Sequence, residues 1–105
     1  MSEPLVKNTA DEGQVKEAEA KVKRGREREL ADLLFILSTV QGRRLIWRYL
    51  SRCGIFKTSF VEDSNRTAYN EGERMIGLNL LADVMEADPD SYLKMMKEAK
   101  EVSNA

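Results

Sequence analysis

Only two residues in this chain strongly oppose an α-helix, and they stand towards its ends: Pro4 and Pro89. A proline costs about 3 kcal/mol in a helix interior. The long interior between the two is therefore open to helices, and its apolar residues recur at helical spacing. No segment alternates well enough to be read as a strand. The predicted fold class is all-α: a small bundle of three to four helices with a long polar N-terminal helix.

The chain divides into three parts. Residues 1–13 mix Pro4, Asn8, Thr9 and Gly13 with few large apolar groups and read as a flexible tail. Residues 14–38 form a helix that changes from charged to apolar. Its first half, "QVKEAEAKVKRGRERE", places Glu17–Lys21 and Glu19–Lys23 in the favourable i,i+4 order. Val15, Ala18 and Val22 trace one thin apolar line there. The second half puts Leu30, Leu33, Leu34 and Leu37 on one face, which predicts burial. An exposed charged helix feeding a buried one is the plain reading; a helix that pairs with another chain is the sharper alternative.

Residues 39–102 form the compact helical domain. Ser38 to Gln41 spells a capping box, so a second helix starts near Thr39 and stops at Gly54, which suits a left-handed C-cap. In the loop that follows, Ile55, Phe56, Phe60 and Val61 are expected to anchor the backbone to the core. A third helix runs from about Arg66 to Glu86. It is apolar nearly all round and should be central. Gly72 and Gly77 inside it predict close approach by a neighbour. Asp88 as N-cap and Pro89 at the first helical position open a fourth.

Several functions are excluded by what is missing. There is no histidine and only one cysteine, Cys53, so neither a Ser/His/Asp or Cys/His device nor a Cys/His zinc site can be built. Cys53 reads as a core residue. The carboxylate pairs Glu71/Glu73 and Asp88/Asp90 point apart at i,i+2 spacing, and "NEG" at 70–72 lacks the pattern of a phosphate loop. The chain reads as non-enzymatic, with no catalytic, cofactor-binding or metal-binding residues and no cofactor. The longest apolar run, "LADLLFIL", is too short to span a bilayer and contains Asp32. No secretory signal is visible in the first residues, which points to a chain that stays in the cytoplasm unless it is packaged.

Charge is placed unevenly. Net charge is −1, yet residues 33–61 carry Arg43, Arg44, Arg48, Arg52 and Lys57 with no acid, giving +5 there and −6 elsewhere. Most of that charge sits in "QGRRLIWRYLSRCGIF", residues 41–56. At 100° per residue, Leu45, Ile46, Tyr49, Leu50 and Cys53 fill one apolar arc. Arg44, Arg48 and Arg52 form a row beside it, with Arg43 and Trp47 on the other flank. A solvated face paired with acids such as Glu71, Glu73 or Asp83 is the plain account. The sharper one makes Arg43, Arg44, Trp47, Arg48 and Arg52 a partner-binding face, since arginine and tryptophan are enriched at interface hot spots. Nucleic acid is a weaker third reading, because only Gln41 and Ser51 could read bases. A small core with no disulfide or metal also favours ordering by assembly with other subunits.

Three stretches, "GRRLIWRYLSRCGIF", "TAYNEGERMIGLNLLADV" and "DPDSYLKMMKE", together resemble a family of short tailed-bacteriophage proteins first described from a Bordetella phage and found among head-and-tail assembly genes. The resemblance covers about residues 40–98. It implies a small helical virion-associated or assembly protein, near the portal, or packaged in the head and ejected. Its implied partners are phage structural proteins in an oligomeric assembly, and its implied place is the virion or the host cytoplasm during assembly. The alternative is a small DNA-binding protein of packaging or regulation. A membrane partner is the weakest reading, because half of the leading helix is charged.

Overall fold

The computed structural model describes residues 9–103. They form α1 (Thr9–Leu37), α2 (Val40–Arg52), α3 (Ser64–Ala87) and α4 (Pro89–Ser103), and no strand occurs among them. The all-α expectation holds. Helix α1 begins at Thr9, five residues before the expected Gln14. Residues 1–8 of the expected tail lie outside the described residues.

Local chemistry explains each boundary. Thr39, one residue later than the expected capping box, is the N-cap of α2, and its Oγ1 accepts from the Gly42 amide at 2.9 Å. Ser38 instead donates its hydroxyl to the Phe35 carbonyl at 2.6 Å, closing the end of α1. Gly54, at φ 76°, reverses the chain just after α2. Asp63 starts α3 by accepting from the amides of Asn65 and Arg66 at 2.9 and 3.2 Å, so the helix opens before the expected Arg66. Asp88 caps α4 as expected; its second oxygen accepts the hydroxyl of Ser91 at 2.8 Å, which satisfies that buried side chain.

Helices α2 and α3 each pack against the other three, and α1 and α4 form the outer pair. The core is small. Leu37, Leu50, Val84 and Met95 are fully buried, and Leu33, Ile46, Trp47, Ile55, Leu80, Leu81 and Tyr92 pack partly around them. Two glycines allow the close crossings. A Cβ on Gly77 would stand 2.5 Å from the Cβ of Cys53, and one on Gly42 would collide with the Ile36 carbonyl. Gly72, in contrast, faces open space, so the expectation of a close neighbour fails there. In the 55–63 loop Ile55 packs against the core and Phe56 against Trp47, as expected, whereas the stretch around Val61 is held by hydrogen bonds. Thr67 Oγ1 accepts from the Val61 amide and donates to its carbonyl, both at 3.0 Å, while Phe60 and Val61 remain exposed.

The molecule is long and thin, 71 × 39 × 15 Å. Its radius of gyration is 20.5 Å, against about 13 Å for a compact domain of this size. Much of the difference lies in α1. Residues 11–24 are exposed without exception. Contact with the body starts at Arg26, whose Nη2 reaches Asp83 at 2.8 Å and Glu86 at 2.9 Å near the end of α3. The charged half of α1 therefore stands clear of the bundle, and neither Glu17–Lys21 nor Glu19–Lys23 closes into an ion pair.

Candidate functional site

Helix α2 presents two faces built from the same residue types. Arg43, in its first turn, turns inward. Its Nε and Nη2 donate to the two carboxylate oxygens of Glu98 on α4, at 2.9 and 2.8 Å. Its Nη1 donates to the carbonyl of Leu37 at 2.9 Å, satisfying an acceptor at the end of α1. The Arg43 side chain is only 11% exposed. Hydrogen bonding by Arg43 holds the Glu98 carboxyl below the usual carboxylate range; burial opposes the shift, and the charges of Arg43, Arg44 and Lys94 add to it. Arg43 thus ties α1, α2 and α4 together, and little of it is left for a partner.

Arg44, Arg48 and Arg52 turn outward as a row one helical turn apart, all exposed. None has an ion-pair partner among the described residues. The acids considered for them are engaged elsewhere or unpaired with them: Asp83 holds Arg26, and Glu71 meets Arg74 and accepts the Ser59 hydroxyl. The guanidinium carbons of Arg48 and Arg52 lie 5.9 and 5.6 Å from the ring centre of Tyr49, within cation–π range. Tyr49 and Leu45 were expected in the core. They are 47% and 41% exposed, because the bundle covers only the arc of α2 centred on Ile46 and Leu50. Cys53 is half-buried against Gly77.

Trp47 is shared between packing and surface. Its ring centre lies 5.1 Å from Phe56 and 6.2 Å from Tyr92, and both pairs are tilted. Its remaining edge divides two hollows along α4. One, of about 530 Å³, is lined by Val40, Arg44, Trp47, Ala99 and Val102 among others. The second, of about 690 Å³, is lined by Trp47, Leu93, Met96, Lys97 and Lys100 among others. Sequence reasoning singled out neither Arg26 nor Glu98. Each acts through a partner more than fifty residues away in the chain, and no local pattern marks such a pair.

These features define a small all-α protein that exposes a row of arginines along its second helix. No group of three His, Cys, Asp or Glu residues that could hold a metal occurs among the described residues. No helix among them is long and apolar enough to cross a membrane. Residues 30–97, well over half of the chain, match the family described as Bbp19-like phage protein, and the chain belongs to that family. The match takes in all of α2 and α3 and begins ten residues earlier than the resemblance in the sequence, where α1 joins the body. No curated protein and no solved structure matches the chain.

Proposed function

We propose that this phage protein is non-enzymatic and acts by binding other phage structural proteins, in the virion or in the host cytoplasm during assembly. The outer face of α2 is the docking surface. One observation carries this reading: Arg44, Arg48 and Arg52 stand exposed and without ion pairs among the described residues, beside exposed Tyr49 and Leu45, while Arg26 and Arg43 are bound within the fold. Arginine and tyrosine with an adjoining apolar residue are the groups that become energetic anchors when a partner excludes water from them. Arg43 supports this face from behind, and Trp47 borders it.

The test is mass spectrometry of purified particles and procapsids from an infection, with the wild-type chain and with Arg44→Ala/Arg48→Ala/Arg52→Ala. The wild-type chain is expected in one or both, and the triple variant is expected to be strongly depleted. Absence of the wild-type chain from both would remove the assembly reading. Binding to duplex DNA that weakens steeply with salt and is lost in the triple variant would replace it with a packaging or regulatory role on nucleic acid.

A further inference from the structure

The arginine row works against the helix that carries it. Arg44, Arg48 and Arg52 repeat at i, i+4 and i+8, about 6 Å apart along the axis of α2, and like charges at that spacing oppose helix formation. The first turn of α2 holds no acid to offset them. Residues 33–61 contain no acid at all. Among the described residues, none from another helix comes within ion-pair distance of the row. The Tyr49 ring lies under the guanidinium groups of Arg48 and Arg52 and orders two of the three.

Such a row is complementary to anions at the same interval. On an α-helix, Asp or Glu at i and i+4 repeats at about 6 Å, and ridges of that spacing on two helices interdigitate at about 50° between their axes. Exposed Leu45 and Tyr49 beside the row match an apolar residue next to those acids. A nucleic-acid backbone would supply the anions but no apolar cover for Leu45. A second copy of this chain lacks the array, because none of its described helices carries two acids at i, i+4. Its i, i+3 pairs are Glu29/Asp32, Asp83/Glu86 and Glu98/Glu101, and in each at least one member is bound by Arg26 or Arg43. On the reading of the outer face of α2 as a docking surface, we infer that its occupant is an acidic amphipathic helix of a different protein. Carboxylates at i and i+4 of that helix meet the arginines, and an apolar residue between them covers Leu45 and Tyr49.

Particles from infections with the wild-type chain and with Arg48→Lys, Arg48→Gln and Arg48→Glu test this. Arg48 is exposed at the middle of the row, and unchanged circular dichroism and melting of the purified variants establish that each folds. Incorporation is expected to follow charge, with Arg48→Lys near wild type and Arg48→Gln reduced. Arg48→Glu is expected at least about tenfold below Arg48→Gln, because a like charge is then pressed against the partner's carboxylates. Particles with Arg48→Lys are then treated with a carbodiimide, which joins the introduced amine to a touching carboxylate as an amide, with loss of water. Mass spectrometry is expected to find that link on an Asp or Glu of another phage protein, with a second acid four residues from it. Equal incorporation of Arg48→Gln and Arg48→Glu overturns the inference, as does Arg48→Lys no better than Arg48→Gln. So does a link to a second copy of this chain, a link to an acid with no second one at that spacing, or no link at all. Absence of the wild-type chain from particles and procapsids, or its release by nuclease, removes the docking reading and this inference with it. The failures named first leave that reading standing with a different occupant.

Discussion

Arg43 and Arg44 leave α2 from adjacent positions, about 100° apart around the helix, and meet different surroundings. Arg43 reaches Glu98 with two parallel hydrogen bonds and Leu37 with a third. Among the described residues Arg44 meets no acid at ion-pair distance, and the same holds for Arg48 and Arg52 on the turns that follow. The inner face thus uses the planar fork of arginine as a strut between helices. The outer face keeps the same group hydrated and available. Charge alone does not separate structural from docking arginines here; what separates them is whether a carboxylate from another helix arrives opposite.

The largest expected effect comes from emptying the inner face. Leu50 is fully buried at the centre of the core, and Leu50→Ala is expected to lower stability by about 3 kcal/mol. Leu45→Ala, only five residues away on the exposed side, should cost less than about 1 kcal/mol. Chemical denaturation of both variants checks the pair, and similar losses would mean that the bundle covers more of α2 than its core contacts show.

Removing the strut comes next. Arg43→Ala leaves the Glu98 carboxylate and the Leu37 carbonyl without their donor, and should cost about 2 kcal/mol. Arg43→Lys should recover only part of that loss, because an ammonium group cannot make the paired contact. The strut also predicts a pH dependence. The Glu98 carboxyl has its pKa lowered in the folded state, so its contribution is fully present above the unfolded value of about 4.3. It is lost as pH falls through the lower folded value. Denaturation midpoints measured from pH 6 downward should therefore drop more steeply for the wild-type chain than for Glu98→Gln.

The helices and their caps were legible because local rules produce them. The aspartate before Pro89 and the glycine after Cys53 act as their types require, with no knowledge of the rest of the fold. The division of α2 was legible only in part. Helical periodicity placed Leu45 and Tyr49 on the apolar arc together with Ile46 and Leu50, but the width of the buried strip depends on how far α1, α3 and α4 reach around it. That width is a tertiary quantity, and in this thin bundle it is narrow. For the same reason Arg43 grouped naturally with the other arginines, since Glu98 is 55 residues away. The loop shows the converse: Phe60 is apolar yet exposed, while Thr67 and Glu71, which hold that loop, carry no sequence mark of doing so.

The smallest expected change in stability belongs to the outer row, and it is the most demanding test of the comparison. Arg44→Ala/Arg48→Ala/Arg52→Ala removes two exposed cation–π contacts with Tyr49, each contributing about 0.5–1 kcal/mol at most in such a setting. It also removes like charges one turn apart, which relieves a few tenths of a kcal/mol per pair, and it introduces the best helix former. These contributions oppose one another, so the melting free energy should stay within about 1 kcal/mol of wild type even though three of the 17 basic residues are gone. Incorporation into particles should fall sharply in the same variant. A triple variant as destabilised as Arg43→Ala would show that the row braces the bundle, and the contrast between the two faces of α2 would then collapse.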